Sequence, residues 1–139
     1  MTDGGTMIKN INIKTKSRNE LVDITSDIQT VIDESGIKNG VCYVYVPHTT
    51  AGVTINEGAD PSVARDIQNT LSKLVPHSGH YLHTEGNSDA HIKSTIAGSS
   101  QVIVIGEGKL LLGTWQSVFF CEFDGPRHRR VTVKIMSDR

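Results

Sequence analysis

The 139-residue chain is poor in cysteine, proline and aromatic side chains: two Cys, four Pro, one Trp, and only 5% Phe, Trp and Tyr together. Cys42 and Cys121 stand far apart and outside any C-x-x-C spacing, so no disulfide framework or cysteine zinc knuckle is indicated. They read as two buried, reduced thiols. Neither sign of charge dominates, since 14 Lys and Arg face 15 Asp and Glu. A net charge of −1 removes the electrostatic footprint of a nucleic-acid binder. No apolar run reaches the roughly 18 residues of a membrane-spanning helix. The opening Met1-Thr2-Asp3-Gly4-Gly5-Thr6 has no basic segment leading into an apolar one, so no secretory signal is expected. Residues 1–7 are read as a floppy leader, and 8–139 as a single domain of a cytoplasmic protein. An apolar content of 37% at this length suffices for a real core.

One stretch is dense in chemistry. His83-Thr84-Glu85-Gly86-Asn87-Ser88-Asp89-Ala90-His91 holds two imidazoles, two carboxylates, an amide and two hydroxyls, with no large apolar side chain. Two other polar runs accompany it: His48-Thr49-Thr50 upstream, and downstream Gly113-Thr114-Trp115-Gln116 with Asp124-Gly125-Pro126-Arg127. The expectation is that all three runs assemble one site.

Periodicity gives the scaffold. Alternation predicts a strand over 8–15 and another over 130–135. Thr25 is an expected N-cap before Ile28, Val31 and Ile32, which share one helical face, and Gly36 closes that helix. Val41 to Val46 is β-branched and aromatic and reads as a central strand stopped by Pro47. Gly52 to Ile55 resumes a strand. Asp60-Pro61 starts a second helix carrying Val63, Ile67, Leu71 and Leu74. Ser88 or Asp89 is an expected cap for a short third helix ending at Gly98. Apolar runs at 101–105, 109–112 and 117–123 follow as strands. Mixed elements early and hairpins late predict an α+β fold of mainly antiparallel sheets with two to three helices on one side.

His48, His83 and His91 each sit beside Thr, Asp or Glu. Imidazole is the commonest protein metal ligand and the natural base near neutral pH. Three imidazoles with one open position make a zinc-type catalytic site, with Asp89 and Glu85 fixing the tautomers. The plainer reading is that loop histidines cap turns or face water. His91, in a first helical turn, sits where a helix attracts phosphate, or simply at a surface helix start. Arg127, after Gly-Pro, is either a clamp for phosphate or carboxylate or part of a solvated basic loop. Trp115 is a core residue or a stacking wall. Asn56-Glu57 is a turn or a cleft lining.

His48-Thr49-Thr50-Ala51-Gly52, Ile55-Asn56-Glu57, His83, Asp89-Ala90-His91-Ile92-Lys93, Leu112-Gly113-Thr114-Trp115-Gln116 and Glu122-Phe123-Asp124-Gly125-Pro126-Arg127 occur in this order. Together they resemble the YjbQ-like family, often described as secondary thiamine-phosphate synthases. The resemblance implies a compact α+β domain with β-sandwich-like sheets that forms a homotrimer, and a weak transferase joining a pyrimidine methyl diphosphate to a thiazole phosphate. It implies His48, His83 and His91 as metal or catalytic residues, holding a divalent ion, zinc or magnesium. Asp89 and Glu57 accompany them in catalysis, and Thr49, Asn56, Trp115, Gln116 and Arg127 in substrate binding. Two alternatives stand beside that activity: a zinc-type hydrolase of a small phosphorylated or amide substrate, and a non-enzymatic trimeric module binding a phosphorylated metabolite. The expected partner is a small phosphorylated metabolite, not nucleic acid or membrane.

Overall fold

The computed structural model describes residues 5–138. In chain order these form β1 (Thr6–Lys14), β2 (Glu20–Asp23), α1 (Thr25–Ser35), β3 (Gly40–Tyr45), β4 (Ala51–Glu57) and α2 (Pro61–Leu74). Then come α3 (Ser88–Ala97), β5 (Ser100–Gly106), β6 (Lys109–Leu110), β7 (Gln116–Glu122) and β8 (His128–Ser137). Every strand pairing is antiparallel. One sheet has the order β1-β8-β3-β5-β6 and the other β2-β7-β4. The fold is α+β with mainly antiparallel sheets and three helices, as the patterning predicts. The expected leader falls partly outside the described residues. Within them, Thr6 and Met7 already pair with Met136 and Ile135.

The core lies between the two sheets and α1. Ile28, Val31 and Ile32 of α1 pack with Val44, Ile103, Val133 and Ile135 of the larger sheet and with Val53, Val118 and Phe120 of the smaller. Alternation decides which side chains enter: on β8, Val131, Val133 and Ile135 are buried and their neighbours are not. β3 is central, between β8 and β5, but its outward residues Tyr43 and Tyr45 stay exposed.

Two expected caps are corrected. α1 begins at Thr25 itself, and the Thr25 hydroxyl accepts the Val118 N–H at 2.8 Å instead of capping. α3 begins at Ser88, so neither Ser88 nor Asp89 is its cap; Asn87 precedes it without a side-chain cap bond, its amide N–H donating to Asp124. The Asp60 cap is present, its carboxylate accepting the Ser62 N–H at 2.9 Å. The expected strand over 109–112 pairs only at Lys109 and Leu110.

Two features place α3 over the end of β4. The Val53 N–H donates to the Gly98 carbonyl at 3.0 Å. Gly52 permits this approach, since a Cβ there would lie 2.6 Å from that same carbonyl oxygen. By this contact α3 carries His91 towards the β3–β4 turn that holds His48.

Candidate functional site

β3 stops because Pro47 has no N–H for the ladder. The chain then turns through His48-Thr49-Thr50 before β4 begins at Ala51. Across a shallow cleft lies the start of α3, and below it the β7–β8 turn. The cleft holds about 390 Å³ and is walled by His48, Thr49, Thr50, Glu85, Asn87, His91, Asp124, Arg127 and Arg129. An adjoining hollow of about 420 Å³ shares His48, Thr49 and His91 and extends along Ser94 and Thr95. A larger depression, about 740 Å³, lies elsewhere between α1 and β6 and has no histidine in its wall.

His48 is half-buried. Its Nε2 accepts the Arg130 N–H at 3.0 Å. Burial, and then the nearby Arg129 charge, lower its pKa, so the ring is neutral at pH 7. His91, in the first turns of α3, meets His83 edge-to-face with ring centroids 5.3 Å apart. The Nε2 of His83 lies 2.9 Å from a Glu85 oxygen, in a pair whose side chains are both exposed. Arg127 donates through Nε to the Asp124 carbonyl at 2.8 Å and through Nη2 to its carboxylate at 3.0 Å. About half of the Arg127 side chain remains exposed to the cleft and solvent.

Beneath the cleft is a buried charged network. Glu122 has no exposed surface, and Arg129 pairs with it through Nε and Nη2. The Thr15 hydroxyl and the Asp124 N–H also donate to Glu122, at 2.8 and 2.9 Å. Burial alone would raise the Glu122 pKa; these donors more than offset it and hold the pKa below normal. Arg129 continues to the Thr50 hydroxyl at 2.9 Å, tying the β3–β4 turn to the network. Asp124 is likewise held below its usual pKa: burial acts upward, but Asn87, Arg127 and Arg18 act downward and win.

Asp89 does not touch a histidine. It is fully buried, accepts Arg18 Nη2 at 2.9 Å and lies 3.8 Å from Lys93 Nζ. It anchors α3 rather than orienting an imidazole. The expected metal set is also corrected. Among the described residues, no group of three or more His, Cys, Asp or Glu side chains could hold a metal ion. The physical reason is placement: His48 and His83 border different hollows, and His91 lies between them, so the three imidazoles do not converge.

Four expected companions lie elsewhere. Ala51 faces Glu122 at one end of the β4–β7 pair, and Glu57 faces Gln116 at the other. Six residue steps separate the ends, about 20 Å at strand rise. Asn56, Glu57, Trp115 and Gln116 therefore sit far from His48 and His91. Trp115 is 65% exposed, so it is neither core nor a wall of this cleft. Gln116 accepts the Gly113 N–H at 2.8 Å and shapes its own turn.

Sequence reasoning missed the roles of Glu122, Arg129, Arg18 and Lys93. The available signal was Glu122 itself, a carboxylate at the end of the apolar run Val118-Phe119-Phe120-Cys121. A charge placed there demands a buried partner.

Residues 9–138 match the family described as UPF0047 protein YjbQ-like. The chain belongs to this family. UPF0047 protein MJ1081 of Methanocaldococcus jannaschii is 59% identical over 133 residues, covering 96% of each chain. UPF0047 protein YugU of Bacillus subtilis is 47% identical, covering 94% of this chain and 99% of its own. A crystal structure of a family member from Clostridium acetobutylicum, 53% identical, superimposes with a TM-score of 0.91 over 92% of this chain and 99% of that one. Another, from Sulfolobus solfataricus, is 36% identical with a TM-score of 0.92 over 96% and 99% of the two chains; it is described as a protein of unknown function.

These relatives overturn the expected activity. They are UPF0047 proteins without an assigned reaction, and nothing in their descriptions supports a thiamine-phosphate synthase or a transferase. The zinc-type hydrolase loses the convergent imidazoles it was built on. In this YjbQ-like chain no helix among the described residues is long and apolar enough to cross a membrane.

Proposed function

We propose that the His48–His91 cleft binds a small phosphorylated metabolite. The observation that carries this reading is the meeting of His48, His91, Thr49 and Arg127 around one hollow of metabolite size. Arg127 enters it with half of its side chain free. The start of α3 opens on the same hollow without a side-chain cap. Uncapped helical N–H groups and a guanidinium both favour an oxyanion. The carboxylates in the wall do not cancel this, because Asp124 is spent on Arg18, Arg127 and Asn87, and Glu85 faces His83. Two imidazoles beside the anion supply groups able to move a proton at pH 7.

The test is a panel of phosphate esters and their dephosphorylated forms titrated into 15N-labelled protein. Amide shifts clustered at 48–50, 87–91 and 124–130 with the esters alone are expected. Shifts scattered over the surface, or equal shifts with the dephosphorylated forms, would rule the reading out.

This reading includes a homotrimer in the cytoplasm. Tyr43, Tyr45, Val102 and Val104 lie exposed on one face of the larger sheet, an apolar surface that another copy would cover. Cys42 and Cys121 are free and buried, which suits a reducing compartment. Sedimentation at the monomer mass, or recovery of the native protein from an exported fraction, would count against it.

A further inference from the structure

The way His48 is held settles which of its nitrogens can serve a ligand. β3 pairs with β8 through Tyr45↔Thr132, and continuing that register by two residues sets Pro47 against Arg130. A residue at position 47 would ordinarily exchange ladder bonds with Arg130. Proline has no N–H, and the imidazole of the next residue fills the gap. The Nε2 of His48 lies 3.0 Å from the Arg130 nitrogen and 3.2 Å from its carbonyl oxygen.

A backbone N–H always donates. At 3.0 Å it requires a lone pair on Nε2. An Nε2–H could reach the Arg130 carbonyl at 3.2 Å, but it would set its proton against the Arg130 N–H, which lies closer at 3.0 Å. The neutral ring therefore carries its proton on Nδ1. That nitrogen has no protein partner among the described residues, and His48 lines both adjoining hollows. His91 is held differently: it meets the His83 ring, and neither of its nitrogens has a hydrogen-bond partner among the described residues.

We infer that His48 serves the cleft as a hydrogen-bond donor through Nδ1–H, so that the bound molecule sets an acceptor oxygen against it, and that His91 is the ring left open to accept a proton. This rests on the cleft being a ligand site, but it divides labour between two histidines that look equivalent in sequence. Pro47 and Arg130 become positioning residues. They act on the ligand only by fixing the tautomer of His48.

The test uses the full chain labelled with 15N-histidine. Long-range 1H–15N spectra at pH 7 separate protonated from unprotonated ring nitrogens, and a His48→Asn variant identifies the His48 signals by their loss. A protonated-type Nδ1 with an unprotonated-type Nε2 is expected. A protonated Nε2 at that pH overturns the assignment, whatever any ligand does. Inorganic phosphate then serves as the probe. It should move the Nδ1 signal while Nε2 keeps its type; phosphate that binds and leaves Nδ1 unmoved also overturns the donor role. If phosphate does not bind but the tautomer is as stated, the ligand reading fails and the tautomer assignment stands.

Variants give the second arm. Asn places an amide donor near the Nδ1 position, and Gln places one near Nε2. His48→Asn should keep phosphate affinity within about threefold, whereas His48→Ala and His48→Gln should lose roughly tenfold or more, the scale of a hydrogen bond to a charged group. Equal losses for Asn and Ala count against donation from Nδ1.

Discussion

Replacing Glu122 by Ala is expected to lower the unfolding free energy by about 3–5 kcal/mol, the usual cost of stranding a buried charge. Arg129 would keep its guanidinium, itself 7% exposed, with no carboxylate to receive it. The Thr15 hydroxyl and the Asp124 N–H would lose their acceptor as well. Measured against a typical total of about 5–15 kcal/mol, this is a large share of the stability. The denaturant midpoint at pH 7 reads it. Lys9→Ala is the contrast: it breaks the exposed Lys9–Glu34 pair and should shift stability by less than about 1 kcal/mol. Similar midpoints for the two variants would mean that the buried network contributes little.

The same network sets a pH dependence. The carboxyls of Glu122 and Asp124 both have folded-state pKa values below their ordinary ones. A depressed carboxylate contributes stability that is fully present above its unfolded pKa and is lost as pH falls through the folded value. The wild type should therefore weaken progressively below about pH 4, near the ordinary carboxylate range. Glu122→Ala should show a shallower decline, because one of these linkages is gone. Parallel acid profiles for the two proteins would contradict the assignment.

The second large effect concerns ligand affinity. Arg127→Ala should weaken binding of phosphate esters roughly ten- to hundredfold, the span of about 1.5–3 kcal/mol for a hydrogen bond to a charged group. Stability should hardly change, since half of the side chain is already in solvent. Arg127→Lys should restore only part of the affinity. Arg127 braces its fork on Asp124 through two separate nitrogens, and a lysine has one. An Arg127→Ala protein that binds esters as the wild type does would remove Arg127 from the site. One that binds weakly but has also lost its fold would show as a shifted midpoint.

Much of the fold was legible in the sequence because local rules and packing agree. Alternation on β8 marks the inward residues Val131, Val133 and Ile135, and the Asp60-Pro61 start is capped as its chemistry demands. The caps failed where a tertiary partner outbid the local one. Thr25 was claimed by the Val118 N–H and Asp89 by Arg18. The site was legible in part. His48, His91 and Arg127 do meet, because the α3–β4 contact at Gly52 brings separate runs together. Trp115 and Gln116 belong to the opposite end of β7, and a motif read along the chain contains no information about which end of a strand it occupies. Asp89 misled for a related reason. An acidic residue two positions from a histidine is equally suited to orienting that ring or to anchoring its helix, and burial against Arg18 chose the second.

Helix α2 has no buried residue of its own, yet it helps to cover one charge. Ser72 receives Lys93 Nζ at 3.2 Å, and Asn19 receives it at 3.1 Å from the β1–β2 connection. Lys93 is only 2% exposed, and burial lowers its pKa. Opening of α2 would return water to that ammonium, and this rehydration would offset part of the cost of opening. The amides of α2 should be the first of the three helices to trade protons with solvent, while the strands behind it stay shut.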